Sequence, residues 1–164
     1  MKEKSIELLN AAVADELTAV HQYMYFHFHC DDQGYDLLAN LFRKTAIEEM
    51  MHIERLAERI LFLGGDVEMK ASKEDVEKIH DVREMLSLAT KMEESSAEDY
   101  NKWANECSQN NDSASKKLFE SLVDDEERHF DQYDDEIANL KKFADNYLAL
   151  QSIERSKNIG GGGE

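Results

Sequence analysis

The sequence predicts an all-α protein: a bundle of four long helices, with a long crossover between the second and third and a short fifth helix at the C-terminal end. Three observations predict it. The 164 residues include no proline, the residue that removes a backbone donor and breaks helix interiors. Apolar residues recur at alternating steps of three and four along four separate stretches. Glu and His residues repeat at a fixed offset, since 93 − 16, 126 − 49 and 129 − 52 all equal 77. A chain of this length buries a sizeable core as one domain. The bundle and its fifth helix are assigned to residues 1–156, and a flexible glycine-rich tail to 157–164.

The first helix opens near Ser5, a good N-cap residue, and carries Leu9, Val13, Glu16, Val20, Tyr23, His27 and Cys30 on one line. It stops near Asp31-Asp32-Gln33-Gly34, where turn-forming residues cluster. The second line is Leu38, Phe42, Thr45, Glu49, His52, Leu56, Ile60 and Leu63, ending at Gly64-Gly65. A polar segment from Asp66 to His80 then crosses from one end of the bundle to the other. Asp81 with Glu84 forms a capping box that starts the third helix, whose line is Leu86, Ala89, Glu93, Ser96, Tyr100, Trp103 and Cys107. Gln109-Asn110-Asn111-Asp112 closes it, and the fourth helix follows with Phe119, Leu122, Glu126, His129, Tyr133 and Leu140. A shorter amphipathic helix spans Ala144 to Glu154.

A formal net charge of −17 argues against nucleic acid or an anionic membrane as partner, because both need clustered Lys and Arg. Cations are the natural counterpart. No apolar run approaches the roughly 20 residues of a membrane span, and no signal-peptide pattern opens the chain, so a cytoplasmic location is expected. Cys30 and Cys107, also 77 apart, make neither a disulfide framework nor a thiolate zinc site. They read as two equivalent buried or half-buried thiols.

In an antiparallel helix pair, residues equidistant from the turn lie side by side. The midpoint of Glu16 and Glu49 is 32.5, and that of Glu93 and Glu126 is 109.5, each inside a turn. Each Glu therefore faces a Glu-x-x-His segment across its hairpin, and residues three apart share one helix face. If the hairpins pack by their apolar lines, four carboxylates and two imidazoles converge at one level. Unpaired buried charge costs several kcal/mol per group, so something must neutralise it. No Lys or Arg lies on the same lines nearby, and a salt-bridge network would have to reach in from flanking positions. Two divalent cations balance four carboxylates and two neutral imidazoles, and mixed O/N ligation with open positions suits iron or manganese.

At these residues the chain resembles bacterioferritins. The resemblance runs from the first helix through the fifth, most closely at Ala46 to Gly65, Asp125 to His129 and Asn146-Tyr147-Leu148, and the ligand set is the one by which ferritin-like dimetal proteins are generally described. The resemblance implies a ferroxidase with a di-iron centre. Two Fe(II) ions bind, dioxygen or hydrogen peroxide oxidises them, and ferric mineral is stored in a hollow homo-oligomeric shell of about two dozen subunits built from two-fold dimers. Carried over by position, Glu16 and Glu93 are terminal ligands, Glu49 and Glu126 bridge, His52 and His129 each bind one iron, and Tyr23 is the tyrosine beside the centre. The resemblance also implies a haem, with Met50 as its axial ligand at a two-fold interface, and a ferredoxin that returns electrons for iron release.

From the residues alone, Met50 points about 100° away from Glu49 and joins Ala46, Ile53 and Ala57 in a second apolar strip, which also fits an interface methionine without haem. Tyr100, the counterpart of Tyr23, reads as a core aromatic or as a second phenol at the centre, the latter a feature similar to rubrerythrins. His21, His27, His29 and His80 read as surface or satisfied histidines. Lys44 stands where some bacterioferritins carry a cavity-side histidine, and Glu48 is an inward-facing acid. Two other readings are a non-mineralising dimetal peroxidase or oxidase of rubrerythrin-like type, and a non-enzymatic helical interaction module. A DNA-protecting Dps-like role is disfavoured, for want of a lysine-rich tail.

Overall fold

The computed structural model describes residues 2–160, which form α1 (Glu3–Asp32), α2 (Asp36–Phe62), α3 (Val82–Gln109), α4 (Ser113–Phe143) and α5 (Asp145–Gly160). α1 pairs with α2 and α3 with α4 as antiparallel hairpins, and the hairpins meet along an α1/α3 seam and an α2/α4 seam. None of these helices is long and apolar enough to cross a membrane.

The 77-residue repeat extends to the turns. In the first, Gly34 takes a positive φ of 83° and Tyr35 N–H donates to Cys30 O at 2.9 Å. In the second, Asn111 takes φ 57° and Asp112 N–H donates to Cys107 O at 2.8 Å. Glycine and asparagine are the residues that tolerate this left-handed geometry, so the two hairpins turn alike and bring equivalent positions to one level.

Two expectations about helix ends are corrected. α1 starts at Glu3 rather than at a Ser5 cap, and Ser5 is buried in its first turn with its hydroxyl 3.9 Å from the Cys107 sulfur. α5 runs on to Gly160 instead of stopping at Glu154, so residues 157–160 of the expected tail are helical. Its buried Leu148 and Gln151 pack on the bundle, and Arg155 reaches Asp31 and Asp36 at 3.6 and 3.5 Å. The rest of the expected tail, 161–164, lies outside the described residues. The Asp81 cap stands as expected, its carboxylate accepting from Glu84 N–H at 3.0 Å.

The crossover has no regular structure, so its backbone needs other partners. One face of α1 supplies them. Asn10 exchanges hydrogen bonds with Asp66 and Glu68 at 3.0 and 3.1 Å. Ala14 O and Thr18 Oγ1 accept from Ser72 and Lys73 N–H at 3.0 and 3.1 Å, and Gln22 brackets Glu77 at 3.0 and 2.7 Å. Asn10 and Gln22 are buried by this contact.

The apolar core is divided. One cluster holds Tyr23, Phe26, Leu38, Phe42, Leu86 and Tyr133; the other holds Leu9, Val13, Leu56, Tyr100, Phe119 and Leu122. Between them lies a polar layer containing every Glu and His of the repeat. At the far end, buried Asp112 caps α4 through Ser115 N–H at 3.2 Å and pairs with Arg59 of α2 at 2.6 Å. Asp112→Ala removes both and strands Arg59, so it is expected to destabilise the fold by about 3 kcal/mol or more. Guanidinium unfolding followed by helical circular dichroism checks this, and a midpoint equal to that of the parent chain contradicts it.

Candidate metal centre

Glu16, Glu49, His52, Glu93, Glu126 and His129 are all at least 97 % buried and sit in that layer. They form two groups, Glu16–Glu49–His52–Glu126 and Glu49–Glu93–Glu126–His129, each able to aim one ligand atom per residue at a common point. Glu49 and Glu126 belong to both. The distances follow the same division. His52 Nδ1 lies 3.4 Å from Glu16, 2.9 Å from Glu49 and 3.2 Å from Glu126, whereas His129 Nδ1 lies 3.1 Å from Glu49, 3.5 Å from Glu93 and 4.0 Å from Glu126. Glu16 thus faces His52 alone and Glu93 faces His129 alone.

Flanking cations do not reach this layer. Among the described residues, none of the four Glu has a Lys or Arg within ion-pair distance. Glu49 Oε2, Glu93 Oε2 and Glu126 Oε1 are buried without a hydrogen bond, and the 2.9 Å approach of His52 to Glu49 Oε2 lacks hydrogen-bond geometry. Orphaned carboxylate oxygens and inward-facing imidazole nitrogens in two overlapping groups are the donor set that a pair of divalent ions requires.

Two further layers brace the six residues, both crosswise between the hairpins. On the α1/α3 seam, the Tyr23 hydroxyl donates to Glu93 at 2.7 Å and the Tyr100 hydroxyl donates to Glu16. Tyr100 is therefore more than a core aromatic. Burial, with Glu93 beside Tyr23 and Glu16 beside Tyr100, raises both phenols well above their usual pKa of 10 and keeps them donors. Tyr133 packs tilted against Tyr23, ring centroids 5.6 Å apart, without a hydrogen bond to a carboxylate of the layer. On the α2/α4 seam, His52 Nε2–H donates to Asp125 at 2.9 Å and His129 Nε2–H to Glu48 at 2.5 Å. These bonds leave each Nδ1 facing the carboxylates, free to become a ligand once its proton is displaced, the carboxylate–histidine arrangement that orients a metal ligand.

Reading by residue lines misses Asp125 as a partner of His52, though the signal is present: 125 − 48 is again 77. It also misplaces the second strip of α2. Ala46 and Ile53 are buried, because the helix packs on two neighbours, and the exposed apolar surface is Ile47, Met50 and Met51. Met50 points away from the centre and is 52 % exposed. His27 bonds Ala39 O at 2.7 Å, His29 stacks on His80 at 4.0 Å, and His21 and Lys44 are exposed. Both cysteines are buried, which pushes the Cys30 thiol up to about 12.

A cavity of about 300 Å³ reaches Glu49, Glu93 and Glu126 from the α1/α3 side, opening between Asp15, Thr18, Ser96 and Asp99 under Ser72 and Lys73 of the crossover. In the metal-free layer, protons do the neutralising. Burial alone would lower the His52 pKa, but Glu126 and Glu16 more than reverse this, to about 10. His129 is raised in the same way against its burial, by Glu93 and Glu48. Burial and neighbouring carboxylates raise Glu49 and Glu126 well above the usual range. Cations entering near neutral pH must displace these protons, so Co(II) binding should release protons and tighten as pH rises. Calorimetry in buffers of different ionisation enthalpy counts them; release near zero would contradict the proton-filled layer.

Comparison with known proteins agrees with this geometry. Residues 6–143 match the family model of the ferritin-like domain. The chain is 35% identical to the bacterioferritin of Desulfovibrio desulfuricans over 90% of this chain and 82% of that one. It is 36% identical to the bacterioferritin of Rhodobacter capsulatus, over 90% of this chain and 91% of the other. The X-ray structure of the Desulfovibrio desulfuricans protein, solved with its diiron site in different catalytic states, superposes with a TM-score of 0.89 at 34% identity, covering 92% of this chain and 88% of that one. With its fold, its two overlapping ligand groups and these relatives in agreement, the chain belongs to the bacterioferritins of the ferritin-like family.

Proposed function

We propose that the protein is an iron-storage ferroxidase: it binds Fe(II) in pairs, oxidises it with dioxygen or hydrogen peroxide, and keeps the ferric product as mineral in a hollow homo-oligomeric shell. One observation carries this reading: two groups of four buried ligands share Glu49 and Glu126 and include carboxylate oxygens that make no hydrogen bond. In it, Glu16 and Glu93 are terminal ligands, Glu49 and Glu126 bridge, and His52 and His129 each hold one ion. The ion pair supplies two electrons to the oxidant, one from each Fe(II).

The chain's own residues do the remaining work. The two apolar clusters exclude bulk water above and below the layer, which strengthens every charge interaction inside it. Tyr23 and Tyr100 fix the terminal carboxylates by donating to them, so those ligands do not swing as charge changes. Asp125 and Glu48 hold the imidazole rings in the ligating tautomer. The cavity beneath the crossover is the path by which small reactants reach Glu49, Glu93 and Glu126.

The family likeness extends the proposal to a shell of about two dozen subunits assembled from two-fold dimers, a cytoplasmic location and a ferredoxin as electron donor for release. Met50 is the proposed haem axial ligand. Its thioether lies on an exposed apolar surface beside Met51 and Ile47, where a flat apolar group shared between two copies fits. Haemin titration should give a low-spin spectrum that Met50→Leu removes and Met51→Leu retains. A second reading, a rubrerythrin-like peroxidase that does not mineralise, is favoured by the Tyr100–Glu16 bond alone.

Aerobic addition of Fe(II), followed by ferric absorbance and size exclusion, separates the two. Storage predicts ferric iron co-eluting with the shell far beyond two ions per chain, whereas the peroxidase predicts peroxide consumption with no such accumulation. Loss of an outer hydrogen bond alone costs about 10–100-fold in metal sites, so the double change Glu49→Ala and Glu126→Ala should slow initial oxidation by roughly 100-fold or more. The shell should elute unchanged, and retained fast oxidation in that variant would exclude the assigned centre.

A further inference from the structure

On the α2/α4 side of the centre stands a cation that the proposed function has not used, Arg128. Arg128 Nη2 lies 2.7 Å from Glu48 Oε2, and its Nη1 lies 3.4 Å from Glu48 Oε1, a two-pronged contact. The same Nη2 lies 3.5 Å from Asp125 Oδ1. Glu48 and Asp125 are the carboxylates that hold His129 and His52 by Nε2. One guanidinium therefore touches both carboxylates that orient the two imidazoles.

The repeat makes this arrangement informative. Glu48 has its counterpart in Asp125, but 128 − 77 is 51, and Met51 is exposed where a second arginine would stand. Both of these equivalent anions touch Arg128, which has no counterpart in the other half of the chain. Arg55 approaches Asp125 at 3.7 Å and does not reach Glu48. Without Arg128, Glu48 would lose its arginine and Asp125 would keep only Arg55, at the rim of a layer that already holds four carboxylates. The imidazoles would then lose the acceptors that fix their tautomer. A guanidinium suits the place because it stays charged and its planar fork holds two carboxylates at fixed angles, which an ammonium does not.

We propose that Arg128 is a positioning residue that clamps Glu48 and Asp125 together and thereby orients His52 and His129 as one unit, so that the affinities of the two metal positions are coupled through it. This rests on the dimetal reading of the site.

The test is Co(II) binding to the metal-free shell, read by its d–d absorbance, in the parent chain and in Arg128→Gln, Arg128→Lys and Glu48→Gln. The parent should bind two Co(II) per chain. Arg128→Gln should weaken both positions together by about 10-fold or more, with a changed ligand-field band, while size exclusion and helical circular dichroism stay as in the parent. Arg128→Lys should recover part of that loss, since it restores the charge without the fork. Glu48→Gln should weaken the His129 position most and the His52 position less, because the carboxylate it removes touches His129 directly and His52 only through Arg128. An Arg128→Gln isotherm and spectrum that superpose on the parent would overturn the clamp, and so would weakening of one position only. A parent chain that takes up no pair of Co(II) ions would overturn the dimetal reading itself.

Discussion

Burial of four carboxylates at one level of a helix bundle is the constraint on which the rest of this structure depends. Each ionised group would cost several kcal/mol if left unpaired, and among the described residues the groups within ion-pair distance of the four are two imidazoles. The chain resolves the conflict by keeping the layer thin. Apolar clusters on both sides stabilise the bundle without crossing it, so the layer can be tuned for ions instead of for packing. The same low polarity that makes the empty layer costly makes it bind divalent cations strongly and hold protons when they are absent.

The layer is built by duplication of positions. Each hairpin contributes a Glu, a Glu-x-x-His pair, a tyrosine and an outer carboxylate, and each bracing bond runs to the other hairpin. Crosswise bracing has a physical consequence. Neither hairpin alone satisfies its own ligands, so the site is complete only when the two are docked, and docking is in turn reinforced by hydrogen bonds in a dry interior. The α1/α3 seam is closed by phenols and the α2/α4 seam by carboxylates, which gives the two sides different chemistry despite the repeat.

Much of this was legible in the sequence because helix periodicity and turn position fix geometry without knowledge of packing detail. The lines through Glu16, Glu49, Glu93 and Glu126, reflected through the two turns, specify the level of the centre, and the offset of 77 specifies its duplication. What escaped reading depends on contacts between elements distant in sequence. Tyr100 bonds Glu16 across 84 residues, and a stripe aromatic gives no sign of where its hydroxyl points. Asp125 sits beside the line rather than on it, so its bond to His52 follows from the helix crossing and not from spacing. Asn10 and Gln22 look like polar interruptions of α1 until the crossover is laid over them. α5 is docked by Leu148, Gln151 and Arg155, contacts that its own sequence does not announce, and its last turn runs on exposed.

The two seams also differ in access, and this gives the centre a direction. On the α1/α3 side a cavity under the crossover leads to Glu49, Glu93 and Glu126, bordered by Asp15 and Asp99 as well as by Lys73. On the α2/α4 side, Glu48, Asp125 and Arg128 are tied to one another and to the histidines. A small ion or oxidant thus meets hydroxyls and acids on one side and a closed ion-pair lattice on the other. The crossover has no regular structure of its own and is held mainly by hydrogen bonds to α1, so shifting it separates neutral hydrogen bonds and no ligand-bearing ion pair. Opening the opposite side means separating a charge network attached to both ligand histidines. Access from the crossover side is therefore the less costly of the two, and Glu48, Asp125 and Arg128 behind the histidines, more than the ligands themselves, set that preference.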